Sequence, residues 1–172
     1  FNISSGARQF NLDNLFNGSC PTKVLVSFVD SEAFQGTFQT NPFNFALHSL
    51  DQIELTADGY SVPGRALTVG PVDSDFKGRQ VVVPFNALAD CVGGLSNHFG
   101  NGIDLSDFSC GYAIFGFPIY GGGPADQNFM QIKKSANIRV QGTFSAALPK
   151  PTIPGTFRVP LRIPLSWPPP SI

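Results

Sequence analysis

At 172 residues the chain is long enough for one domain with a proper core. Hydrophobic residues make up 42% of it and charged residues 13%, about half the usual ~25%. The net charge of −1 comes from well-mixed acids and bases, which excludes a basic nucleic-acid footprint, and no apolar stretch approaches the ~18 residues of a membrane span. The 17 Phe against 3 Tyr and 1 Trp point to a buried aromatic core, because Phe needs no polar partner when covered. A surface so short of charge suggests large areas packed against something else. The chain opens on Phe1 with no signal-peptide pattern, and we expect a processed product or the ordered part of a longer chain.

Phe10, Leu12, Leu15 and Phe16 open with mixed spacing, and Asn17-Gly18 marks a turn. Lys23 to Val29 is a β-rich run with apolar residues on both faces, which predicts a strand covered on both sides. Asp30 to Gly36 reads as a short helical turn, capped by Asp30 and ended by Gly36. In Asn41-Pro42-Phe43-Asn44-Phe45, the proline rules out a helix. Phe43 and Phe45, two apart, are expected on one face of a strand as a core wall. Gln52 to Ala57 alternates in hydrophobicity, and Asp58-Gly59 follows as a two-residue hairpin signal.

Val62 to Arg65 predicts a turn, Ala66 to Val69 a short strand, and Gly70 to Gly78 an exposed loop. Val81 to Pro84 reads as a brief strand. Phe85, Leu88 and Val92 then fall at helical spacing before Gly93-Gly94. Leu95 to Phe108 is loop-like. Gly111 to Ile119 is strongly strand-like, and Gly121 to Pro124 breaks it. Ile138, Val140 and Phe144 alternate with Arg139, Gln141 and Thr143. Eight of the 15 prolines lie from Pro149 on, so residues 149–172 are read as an edge strand and an extended tail. Seven or eight short strands with frequent turns predict an all-β sandwich or barrel.

No catalytic constellation emerges, and no catalytic, cofactor or metal residue is assigned. His48 and His98 are far apart; His48 reads as a core-edge residue and His98 as a solvated loop residue. No Gly-x-Ser-x-Gly elbow frames a serine. The pairs Asp73/Asp75 and Asp104/Asp107 could hold a hard cation, but turn and cap roles are favoured. Gly121-Gly122-Gly123 lacks the Lys-Ser/Thr of a phosphate loop. Cys20, Cys91 and Cys110 show no CxxC spacing; three free buried thiols are favoured over one disulfide. Lys133-Lys134 reads as a solvated edge. Asn2-Ile3-Ser4 and Asn17-Gly18-Ser19 match the glycosylation pattern, which often arises by chance.

The order Pro21, Val26-Ser27-Phe28-Val29-Asp30, Ala33-Phe34, Gly36, Asn41 to Phe45, Asp58-Gly59 and Pro63 resembles the C-terminal half of the hexon-like major capsid proteins of Polinton (Maverick) elements and adintoviruses. Gly111 to Phe117 is similar to that family's later Gly-Tyr strand. Ser135 to Val140, with Phe144, Ala147 and Leu148, is similar to its last strand. The likeness covers roughly residues 15–148, and the Pro-rich stretch after Leu148 departs from it. It implies an eight-stranded antiparallel jelly-roll sandwich with one or two short helices in loops, occupying residues 1–148 as one half of a double jelly roll. It also implies a structural role in the virion capsid: trimeric pseudo-hexameric capsomers built from copies of the chain and other capsid proteins, with neither enzyme activity nor cofactor. The alternative is a lectin-like module using the loops Gly70–Gly78 and Leu95–Phe108. A cupin-type enzyme would need clustered histidines.

Overall fold

The most apolar run of the sequence becomes the middle strand of a sheet. In a computed structural model that describes residues 1–16, 20–70, 81–92, 102–119 and 135–159, Lys23–Asp30 forms strand β2, with Gln9–Leu12 as β1 before it. Then come the short helix α1 (Ser31–Phe34), β3 (Leu50–Ala57), β4 (Tyr60–Thr68), α2 (Val82–Val92), α3 (Leu105–Ser109), β5 (Ile114–Pro118), β6 (Ile138–Phe144) and β7 (Thr152–Val159). The strands make two antiparallel sheets, ordered β1-β6-β3-β4 and β5-β2-β7. The all-β sandwich is therefore present, with seven strands and three helices among the described residues.

Strand alternation explains the core. On β2, Val24, Val26 and Phe28 share the inner face and are fully buried, as are Phe115 and Phe117 opposite them on β5. From the other sheet come Phe10, Leu12, Ile53, Leu55, Leu67, Ile138, Val140 and Phe144. Phe28 sits at the centre: its ring lies 5.5 Å from Phe10, 6.0 Å from Phe144 and 6.2 Å from Phe115, each edge-on. Edge-to-face rings add roughly 0.5–1.5 kcal/mol per pair beyond their buried area. The outer face of the four-stranded sheet carries the polar set Gln9, Asn11, Gln52, Glu54, Gln141 and Thr143.

Two glycines make room for close neighbours. Phe10 lies opposite Gly142, and a Cβ there would stand 2.7 Å from the ring. A Cβ on Gly116 of β5 would stand 2.7 Å from Cys91 Cβ and 3.0 Å from Leu88 Cα, because α2 packs directly on that strand. In α2 the buried stripe is Pro84, Leu88 and Cys91. The brief strand expected over Val81–Pro84 is instead the start of this helix. Pro84 is tolerated there because a first-turn N–H has no partner within the helix. The first helical bond runs from the Phe85 N–H to Val81 O at 2.9 Å.

The hairpin forms where expected. Asp58 (φ 50°) and Gly59 (φ 85°) join Ala57 to its partner Tyr60 in a two-residue turn whose central residues both have positive φ. The Asp58 carboxylate also accepts the Asn137 N–H at 2.7 Å. The separate turn and strand expected over Val62–Val69 are one strand with a bulge. Leu55 pairs with Val62 and Ile53 with Leu67, so Pro63 to Ala66 bow out of the ladder.

The edge strand expected after Pro149 is present: β7 is the outermost strand of its sheet and pairs with β2 along its whole length, from Asp30↔Thr152 to Lys23↔Val159. Cutting the chain after Pro149 would remove a full partner of the central strand, so such a deletion would not spare the sandwich. Thr152 exchanges bonds of 2.8 and 3.0 Å with Ile3 on its outer side. Pro154, two residues on, turns its missing N–H to that same outer side and costs β2 nothing. Residues 160–172, including Pro168 to Pro170, lie outside the described residues.

Candidate interaction surface

The connection between β2 and β3 is the most unusual part of the surface. It has no charged residue from Ala33 to Leu47. Asp30 stands at the helix N-cap without a side-chain bond, and Gly36 (φ 85°) turns the chain out of α1. Thr37 Oγ1 then donates to Glu32 O at 3.1 Å. The Asn41–Phe45 stretch is not the strand expected. Asn41 Oδ1 accepts the Phe43 N–H at 3.0 Å, and Asn41 O accepts the Asn44 N–H at 3.2 Å. This Asx turn replaces the alternation that would have put Phe43 and Phe45 on one inner face. Phe43 is 71% exposed and Phe45 half-buried, so the core-wall reading fails for both.

Phe45 makes the one strand-like contact of the stretch. Its N–H donates to Gly111 O at 2.8 Å, and its O accepts the Ala113 N–H at 3.1 Å, bridging it to Tyr112. Gly111 (φ 111°) is needed there: a Cβ would stand 2.7 Å from Asn44 Oδ1. The outcome is a pinned frame carrying Phe34, Phe38 and Phe43, with Tyr112 on the segment pinned to it. These side chains are 67%, 109%, 71% and 50% exposed. They lie at the end of the sandwich where β2 finishes and β3, β5 and β7 begin.

His48 closes the base of this connection. It sits in the turn before β3 with φ 47°, half-buried, its Nε2 3.8 Å from Asp30 Oδ1 and without a hydrogen-bond partner. Its core-edge placement is as expected. Burial holds its pKa below the ordinary 6.5, against the pull of Asp30. The unfolded chain therefore protonates this imidazole first as pH falls. The stability given by neutral His48 is whole above about pH 6.5 and is lost as pH drops through the lower folded value. Urea unfolding midpoints should fall from pH 7.5 to about pH 5, and fall less in His48→Gln.

The remaining candidates are dispersed. Asp104 and Asp107 form the capping box of α3, with the Asp107 carboxylate 3.5 Å from the Asp104 N–H, which is the cap role expected. Leu105–Ser109 is thus helical rather than loop. Among the described residues, no three His, Cys, Asp or Glu stand together as a metal site, and no helix is long and apolar enough to cross a membrane. Cys20 and Cys91 are buried and in no disulfide, but Cys110 is exposed, against the expectation that all three are buried. Burial pushes Cys91 up to about 11. Iodoacetamide should label Cys110 in the native protein and Cys91 only after unfolding, as peptide mass spectrometry can check. Asn2 is exposed. His98, Asp73, Asp75, Lys133, Lys134, Asn17, Gly121 to Gly123 and most of the loops proposed for sugar lie outside the described residues.

A shallow concavity of about 440 Å³ lies on the polar face of the four-stranded sheet, lined by Gln9, Asn11, Gln52, Glu54, Gln141 and Thr143. Gln141 Nε2 donates to Glu54 Oε2 at 2.9 Å across it.

The chain is similar to an uncharacterized protein of Caenorhabditis elegans, at 31% identity over 160 residues covering 86% of this chain and 36% of the relative. It thus spans about a third of the relative's length. No family model matches the chain. No solved structure matches it either.

Proposed function

We propose that the chain is a jelly-roll subunit, or half-subunit, of an icosahedral virion capsid, packing into trimeric pseudo-hexameric capsomers. The strand order carries this reading. In an eight-stranded jelly roll one sheet runs first-eighth-third-sixth and the other second-seventh-fourth-fifth. If the seven strands are the second to the eighth, β1-β6-β3-β4 takes the second order in full, and β7-β2-β5 takes the first order with its outermost place open. The antiparallel Ile3–Thr152 bridge falls at that open place. The low charge and the Asn41–Phe45 resemblance agree with a protein that works by contact. Negative-stain electron microscopy of the purified chain should show hexagonal tiles or closed particles. A lone monomer at every concentration in light scattering would sink the reading.

One observation favours a second reading, a carbohydrate-binding module. The concavity on the sheet offers amide, hydroxyl and carboxylate groups suited to sugar hydroxyls. A glycan array decides it, since silence there removes the module.

A further inference from the structure

We infer that the aromatic end of the sandwich is the face by which one copy of this chain docks on another, through Phe34, Phe38, Phe43 and Tyr112. The inference rests on the capsid reading for its partner and on separate observations for its place. Four rings at these exposures offer roughly 600 Å² of apolar surface. That is most of the ~800 Å² per partner that a standard interface buries. Aromatic side chains are also the group most enriched where such interfaces carry their energy.

The frame is built before any partner arrives. The bonds of Asn41 to Phe43 and Asn44, and of Phe45 to Gly111 and Ala113, fix the backbone that presents Phe43 and Tyr112, and the bonds of Thr37 to Glu32 and Thr40 hold the turn that carries Phe38. Docking then costs little ordering entropy beyond the side chains themselves. Charge selects the class of partner. A run without charge from Ala33 to Leu47 gives nothing to a phosphate backbone or an anionic lipid headgroup. A whole-chain charge of −1 leaves copies with little mutual repulsion. With those set aside, the occupant is the second copy that the capsid reading supplies, meeting ring to ring or ring to apolar surface.

Sedimentation velocity of the wild-type chain and of the triple variant Phe34→Ser, Phe38→Ser, Phe43→Ser tests this, from micromolar to near-millimolar concentration. The wild type should rise in mass with concentration above its 18.4 kDa. The triple variant should bind itself at least about tenfold more weakly, with an unchanged near-ultraviolet spectrum and melting temperature because these rings are outside the core. A triple variant that associates or forms particles like the wild type overturns the face and leaves the capsid reading standing. A wild type that stays monomeric throughout overturns both. A monomer that floats with phosphatidylcholine vesicles also overturns the inference, because the face would then serve a lipid surface.

Discussion

Replacing Phe28 by Ala should lower the unfolding free energy by about 3–5 kcal/mol. The ring is fully buried and touches Phe10, Phe115 and Phe144 from both sheets. Removing it opens a hole that neither sheet can close, since each neighbour is anchored in its own strand. Domains of this kind are stable by only about 5–15 kcal/mol, so the loss is a large share. Phe43→Ala is the control. With its ring 71% exposed, that change should stay within about 0.5 kcal/mol. Denaturant unfolding of the two variants side by side checks both values, and a large loss at Phe43 would overturn its surface placement.

The second large effect is at Gly116. Here one methyl group is added rather than a six-carbon ring removed. A Cβ would meet Cys91 Cβ at 2.7 Å, Leu88 Cα at 3.0 Å and Ala87 O at 3.2 Å. Two of these atoms are helix backbone, which cannot rotate away as a side-chain tip could. Gly116→Ala should therefore push α2 off β5 and cost about 1–3 kcal/mol, the range of overpacked cores. Because Cys91 lies under that contact, its thiol should also become reactive to iodoacetamide in the folded variant. A variant as stable as wild type, with Cys91 still protected, would show that α2 does not rest there.

How much of this was legible in the sequence depended on whether the signal was local. Lys23 to Val29 reads as a doubly covered strand because its apolar residues fill both faces, and on β2 Ser27 and Val29 of one face are buried as well as Val24, Val26 and Phe28 of the other. Asp58-Gly59 read as a hairpin because a two-residue turn needs residues that tolerate positive φ. Phe43 departs from its period-two spacing because Asn41 captures the backbone first. Val81 to Val83 depart in the same way: β-branched residues suggest a strand, yet Pro84 and the stripe through Leu88 to Cys91 set a helix. Gln9 to Leu12 carries a plain alternation, with Phe10 and Leu12 inward, that the mixed spacing of Leu15 and Phe16 beyond it obscures. The exposed aromatic end could not be read from sequence at all. Phe34, Phe38 and Phe43 are the same residue type as the core rings, and only the turns between them decide which side they face.

The pairing of β2 with β7 has a consequence for how the molecule comes into being. Their registers join residues 23–30 to 152–159, and Ile3 likewise waits for Thr152. At about 5–20 residues per second, a ribosome needs roughly 6–25 s to make the strand that β2 requires. Through that interval Val24, Val26 and Phe28 have only part of their cover, while the β3–β4 hairpin can already close by itself. Contacts so distant along the chain slow folding. Apolar strands awaiting a distant partner are the species that aggregate, so the yield of soluble nascent chain should rise with chaperone supply, as chaperone co-expression can check.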